Sequence, residues 1–318
     1  MMLMAMADTA AAPDAARHIV VLLLADPAHA PHGQLLKAVK QGLEAAAAAD
    51  NVILQVTDAD GIPDYLARLD PADHAIVVAV GGRAAADTLH GPSITTPLIY
   101  TLITRAQYAT LTARRMEPPR GGDTTAIFLD QPFARQLRLL RASLPMIRRI
   151  GVVVGPSSAP YVHDLRRALA RTAPLDVQMV NSPREVMPAL KRTLARSDAI
   201  LALPDPLVYN PRTMKGILLT TYRHRVPLIG LSQAYVRAGA ITAVDSTPAH
   251  IGTQLGEILA GLARSPTPRP ALPPPAFPRY YDVVVNPTVA DSLGIHLLPA
   301  NELRAILRQQ EMEMEPLP

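Results

Sequence analysis

Apolar positions along this chain follow two alternating patterns. Unbroken runs of β-branched residues and Leu mark strands buried on both faces, and apolar residues recurring every three or four positions mark helices. The run 18–25 (HIVVLLLA) is the first strand, and after the loop ADPAHAPHG the stretch 34–49 repeats Leu35, Leu36, Val39 and Leu43 at helical spacing. Strands follow at 51–57, 75–80 and 97–102, with helices at 62–69 and 83–89 between them. Strands alternating with helices predict a parallel, doubly wound sheet.

A turn-rich break at 117–123 (EPPRGGD) interrupts the series, and it restarts with a strand at 124–129. Helices are expected at 133–143, 161–172, 182–194 and 212–223, the third kinked or divided at Pro188. Strands are expected at 150–154, 175–180, 199–203 and 226–231. Two βα series of similar length imply two similar lobes. The stretch 237–252 (RAGAITAVDSTPAHIG) has the composition of a crossing between them, leading into a helix that Thr247-Pro248 can cap and that runs to about Leu262. Seven prolines in 265–278 exclude a helix or central strand and predict an extended strap. A last strand at 280–285, a helix at 287–293 stopped by Gly294, and an amphipathic tail at 301–310 complete the pattern, with 311–318 expected to fray.

At 318 residues the chain is long enough for two cores. Its 49% hydrophobic and 18% charged content is that of a packed protein, and with no Trp and three Phe the cores fall to Leu, Val, Ile and Ala. No Cys is present, which removes thiol catalysis, Cys-held zinc and disulfides together. The net charge of +4 and pI near 9.5 mildly favour anionic partners. The pairs Arg114-Arg115, Arg148-Arg149 and Arg166-Arg167 are scattered along the sequence without interleaved aromatics, so nucleic-acid binding is not expected. The N-terminus, MMLMAMADTAAAPDAARH, carries a small-x-small site at Ala5-Met6-Ala7 but lacks a basic start and a full apolar core. It reads either as the tail of an export signal that begins upstream or as an ordinary frayed terminus.

Ligands in open parallel sheets bind beyond the carboxyl ends of the strands, where helix N-termini present free N–H groups. That rule selects Asp26, Gly82, Arg83 and the stretch Thr101 to Thr104 in the first lobe, and Ser157, Ser158, Asp205, Tyr209, Ser232 and Gln233 in the second. Asp245 lies at the crossing, either as a ligand contact or as the cap of the helix near Pro248. Tyr100, Tyr161 and Tyr235 are further aromatics near these ends. The pair His29 and His32 has no carboxylate at metal-ligand spacing. No P-loop, G-x-S-x-G or H-E-x-x-H occurs, and VGGRAA does not extend to a dinucleotide fingerprint. The expectation is therefore no catalytic residue, no metal, no cofactor and no enzyme.

The strings VAVGGRAAADTL, RRIGVVVGPSS, SDAILALPDPLVYN, VPLIGLSQAYVRAGA, STPAHIGTQLGEIL and PRYYDVVVNPTVADSLGIHLL span about His18 to Leu298. Together they resemble the substrate-binding proteins of ABC transporters with the type I periplasmic-binding fold, a subgroup with aromatic-amino-acid-binding members. The resemblance implies two α/β lobes joined by three crossings and closing on a small polar or amphipathic solute. It also implies export to the periplasm and delivery to an ABC permease in the inner membrane, by a protein expected to be a monomer. A ligand sensor for a receptor or histidine kinase, or an α/β enzyme, are the alternatives. The expected division is 1–16 as residual export signal or disordered, 17–126 with 244–264 as lobe 1, 127–243 with 279–318 as lobe 2, and 265–278 as the strap. The loop ADPAHAPHG, Arg83 and Val244-Asp245 depart from the family's pattern, so no particular ligand is carried over.

Overall fold

The computed structural model describes residues 19–26, 28–58, 60–68, 74–90, 96–114, 124–169, 174–265 and 271–313. The export-signal segment, the break at 117–123 and residues 266–270 of the Pro-rich stretch lie outside these.

Five strands, β1 (Ile19–Leu24), β2 (Val52–Thr57), β3 (His74–Val80), β4 (Leu98–Ile103) and β5 (Thr124–Phe128), form a wholly parallel sheet in the order β2-β1-β3-β4-β5. Helices α1 (Ala30–Ala45), α2 (Gly61–Ala67), α3 (Gly81–His90) and α4 (Arg105–Arg114) connect them. The chain then crosses through Leu129–Pro132 into α5 (Phe133–Ser143). The second series follows as β6 (Ile150–Val154), α6 (Val162–Leu169), β7 (Leu175–Met179), α7 (Pro183–Leu194) and β8 (Ala199–Leu201). It ends with α8 (Pro211–Arg223), β9 (Leu228–Ile229), α9 (Gln233–Ala238) and β10 (Thr242–Asp245). This sheet has the order β11-β10-β9-β8-β6-β7, where β11 (Asp282–Val285) is its one antiparallel strand.

Two returns complete the exchange. After β10, Ser246 and Thr247 lead back to α10 (Pro248–Ala263), which lays Ile251, Leu255 and Leu259 against Leu35, Val39 and Leu43 of α1 in the first core. The strap then runs along the edge of the first sheet, where Ala276 bridges Ile127 and exchanges hydrogen bonds with Ala126 and Phe128. A proline-rich segment suits that place, because an edge needs only occasional donors and is protected by the cover. The chain finally enters β11, α11 (Pro287–Leu293) and α12 (Ala300–Met312) of the second lobe. Two α/β lobes with three crossings is the architecture that the hydrophobic pattern and the resemblance together imply.

The structure corrects several expectations. Helix α1 starts at Ala30, four residues early, because Pro31 is tolerated in a first turn. Helix α7 runs undivided through Pro188, anchored by buried Val186, Ala189 and Leu190. Val244 and Asp245, expected in the first lobe, pair with β11 in the second sheet. Of the two caps expected for α10, Thr247 serves and Asp245 does not, Thr247 and His250 forming a reciprocal bond pair. Glu311 does not fray: its carboxylate accepts hydrogen bonds from Arg135 Nε at 2.6 Å and Tyr281 OH at 2.9 Å. Helices α4 and α9 were not anticipated, α4 because it buries no residue fully and so shows no apolar stripe.

Candidate functional site

The carboxyl ends of the two sheets face one another across a cavity of about 1070 Å³. The first lobe contributes Gly82 and one side of α4, with Thr104, Gln107 and Thr110. Thr104 and Gln107 cap α4 reciprocally, Gln107 N donating to Thr104 Oγ1 at 3.2 Å and Thr104 N to Gln107 Oε1 at 2.8 Å. The second lobe contributes Ser157, Tyr161, Asp205, Tyr209 and Ser232. The crossings supply Asp130, Gln131, Asp245 and Ser246.

The back wall ties all three crossings together. Gln131 Nε2 donates to Ser246 Oγ at 2.7 Å, and Ser246 Oγ donates to Tyr280 O at 2.7 Å. Arg135 Nη1 donates to both Gln131 Oε1 and Pro278 O at 2.8 Å, while its guanidinium stacks 4.0 Å from the Tyr281 ring centroid. Gln131, Arg135 and Ser246 are all buried. Satisfied polar networks under low dielectric are rigid, so the three crossings form one bonded seam. Burial and the Glu311 contact push the Tyr281 phenol up to about 12, which keeps it a donor in that seam.

The interior is acidic. Asp130 Oδ1 accepts the backbone N–H of Arg105 at 2.8 Å, but desolvation by burial outweighs that bond and raises its carboxyl above the ordinary range. Burial likewise raises Asp245, opposed by a backbone N–H from Gln233 and the charge of His250. Asp205 is different. Its Oδ2 accepts both the N–H and hydroxyl of Ser158 at 2.9 Å, and Oδ1 accepts Leu207 N at 2.9 Å, so it is committed to the loop it braces. Gly155 makes room for that brace, since a Cβ there would stand 2.6 Å from Asp205 Oδ1.

Two residues of the wall carry a buried side-chain atom with no partner among the described residues: the Tyr209 hydroxyl and Gln136 Oε1. Burial drives the Tyr209 phenol upward, so it stays protonated and able to donate. Buried polar groups are rarely left unpaired. Beside them, the Arg105 guanidinium lies 4.2 Å from the Tyr161 ring centroid, 5.4 Å from Phe133 and 5.6 Å from Phe277. It also approaches Asp164 at 3.7 Å. Arg105 belongs to the first lobe, Phe133, Tyr161 and Asp164 to the second, and Phe277 to the strap.

Of the residues selected from sequence, Gly82, Ser157, Asp205, Tyr209, Ser232 and Asp245 lie on the cavity wall, as does Tyr161. Most of the others do not. Asp26 is exposed and accepts Ala28 N in its own loop, Arg83 is exposed, and Gln233 holds Arg237. Thr101 is wholly buried within β4, which runs on to Ile103, and Ser158 is consumed by Asp205. Tyr100 is buried beside Thr88, and Tyr235 packs on Tyr209. Thr104, at the end of the selected stretch, lies on the wall, whereas Asp130, Gln131, Gln136 and the residues of α4 itself were missed. The T-x-x-Q of Thr104–Gln107 is a capping signature that pointed to α4. Among the described residues no three His, Asp or Glu side chains gather as a metal site.

The comparisons with known proteins agree with this geometry. A structure of a conserved domain protein from Vibrio cholerae matches at 21% identity with a TM-score of 0.58, over 91% of this chain and 98% of that one. An ABC domain in complex with L-Trp from Streptococcus pneumonia matches at 20% identity and TM-score 0.57, over 91% and 97%. A ligand-free, open substrate binding protein with adhesive properties from Clostridium difficile matches at 17% identity and TM-score 0.64, over 90% and 97%. No curated protein matches by sequence. At these identities the structures share the fold. The family model described as ABC transporter substrate binding protein covers residues 28–303, and the chain belongs to that family of binding proteins.

Proposed function

We propose that this protein is a non-catalytic, periplasmic solute-binding protein that captures a small amphipathic ligand bearing an ammonium group and hands it to an ABC permease in the inner membrane. The carrying observation is the cavity between the sheet ends, whose walls come from both lobes and whose back is the bonded seam of the three crossings. A ligand touching both walls binds the closed arrangement better than any open one, so it shifts the population toward closure. Asp130 and Asp245 supply negative charge for the ammonium. Tyr161 and Tyr209 give apolar faces. The L-Trp held by the pneumococcal relative has an ammonium and an aromatic body of this kind. The protein acts as a monomer, with no nucleic acid involved.

A thermal-shift and calorimetric screen at neutral pH tests the reading. Ammonium-bearing amino acids are expected to stabilise the fold, by about 2.7 kcal/mol at a hundred times Kd. Their deaminated analogues, nucleosides and purines are not. The pH sign follows from the two raised carboxyls. They must be ionised to hold the ammonium, so affinity is full at neutral pH and falls on acidification, beginning above their ordinary value of 3.8. A deaminated acid that binds more tightly than its amino acid, or turnover of any compound, overturns the proposal.

A further inference from the structure

The second lobe up to Ser246 is far more basic than the chain as a whole, an excess that its C-terminal part, residues 279–318 with three Lys and Arg against six Asp and Glu, only partly offsets. Residues 133–246 hold 17 Lys and Arg against six Asp and Glu, whereas residues 19–131 hold eight against 12. The fold gathers many of these cations, scattered in sequence, at one place. Arg148 and Arg149 precede β6, Arg196 precedes β8, and Arg223, His224 and Arg225 precede β9. Because β9, β8 and β6 are adjacent parallel strands, these residues share the end of the sheet farthest from the cavity, within about 10 Å at two strand spacings. Asp198 Oδ2 fixes the arrangement by accepting the backbone N–H groups of Arg148 and Arg149 at 2.9 Å, and Arg149 Nη1 reaches Arg196 O at 3.4 Å.

All six side chains are exposed, and those of Arg148, Arg196 and Arg223 make no ion pair or hydrogen bond among the described residues. Cations here complement the C-terminal ends of the helices, α6, α7 and α8 each carrying Arg or Lys in their last turns. The first lobe has the same topology, yet α1 and α2 carry no basic residue there and α4 carries Arg114, while Asp50, Asn51, Thr96 and Pro97 precede its β2 and β4. Helix dipoles alone therefore do not account for the basic end. Met146 and Tyr222, 83% and 46% exposed, stand in the same end of the lobe. Arginine interleaved with exposed apolar and Tyr side chains is the composition that suits the headgroup layer of an anionic bilayer.

We infer that the cavity-distal end of the second lobe docks on anionic phospholipid headgroups, holding the protein at a membrane surface with its cavity and first lobe free. The attraction is screened by salt and needs no membrane-spanning segment. Co-sedimentation of the full chain with phosphatidylcholine vesicles containing about a third phosphatidylglycerol tests it. Wild type is expected to bind these vesicles but not pure phosphatidylcholine, with at least a tenfold loss between about 20 and 300 mM NaCl. Arg148→Glu/Arg196→Glu/Arg223→Glu is expected to lose binding at least tenfold, while Lys37→Glu/Lys40→Glu/Arg68→Glu, with the same change in net charge on the first lobe, keeps it. If the reversed triple does not fold, single Arg→Gln variants at the same positions supply the reading, each lowering binding measurably. Met146→Ser is expected to weaken vesicle binding while leaving heparin binding unchanged. Equal losses from both charge triples, no preference for the anionic lipid, or retention on heparin and nucleic acid without vesicle binding would overturn the inference.

Discussion

The two lobes repeat one scaffold and diverge at its ends. Their parallel strands run β2-β1-β3-β4-β5 and β7-β6-β8-β9-β10, the same winding twice. Following β3, the chain turns straight into α3 through Gly81 and Gly82, which offer backbone and little else. At the equivalent turn after β8 stands Pro204-Asp205-Pro206, with a carboxylate braced to the neighbouring loop. The first lobe is held mainly by close helix packing, and the second spends buried hydrogen bonds to shape its loops. The turn after β3 is therefore plain and the turn after β8 braced, and substitutions can separate these two ways of holding a lobe.

The largest effect is expected where the first lobe has no slack. A Cβ at Gly252 would stand 2.4 Å from Leu35 O and 2.9 Å from Ala38 Cβ, and the first contact is backbone that can move only with α1 itself. Gly252→Ala must push α10 off α1, at about 3 kcal/mol of overpacking. Urea denaturation measures it; a loss under about 1 kcal/mol would mean that the helices separate freely and that the first lobe is not packing-limited.

The matching test in the second lobe is Asp205→Ala. It strands the N–H groups of Ser158 and Leu207 in a buried loop, at about 2 kcal/mol. Unlike the Gly252 variant, it also disturbs Ser157 and Tyr209 on the wall, so ligand affinity should fall along with stability. Gly155→Ala, which intrudes on the same carboxylate, should reproduce the pattern. Lost stability with full affinity would show that the brace does not shape the site.

Much of this scaffold was legible because buried parallel strands announce themselves. IGVVV at β6 and the heptad-like leucines of α5 are predicted to the residue. The site was less legible, because position at a strand end does not specify direction. Thr101 satisfies the strand-end rule, yet its side chain belongs to the core, while Thr104, three residues on, faces the cavity. Asp130 and Gln131 sit in a four-residue crossing with no periodicity to read. Ser158 illustrates a second limit: a hydroxyl after a strand fits a ligand cradle and a loop brace equally well, and only the partner Asp205, 47 positions away, decides. The basic end of the second lobe escaped for the same reason, since neighbouring strands unite arginines that are far apart in the chain.

The smallest expected effect lies where the two lobes meet. Arg105 leaves the first lobe at the start of α4 and stacks over Tyr161 of the second at 4.2 Å, flanked by Phe133 and Phe277. Its ion pair with Asp164 is long and partly exposed and adds little. The cation–π contact should contribute about 1 kcal/mol. That energy belongs to neither lobe alone, so Arg105→Ala should leave the denaturation of each nearly unchanged. It should instead shift the balance between open and closed arrangements about fivefold toward open. Solution scattering of the ligand-free variant should give a larger radius of gyration than wild type, and ligand affinity should drop in proportion to the lost closed fraction, by at most the same factor. Arg105→Lys keeps the charge but loses the planar stacking and should recover only part of the effect. An unchanged radius in both variants would assign the lobes' approach to the seam of Gln131, Ser246 and Arg135 alone.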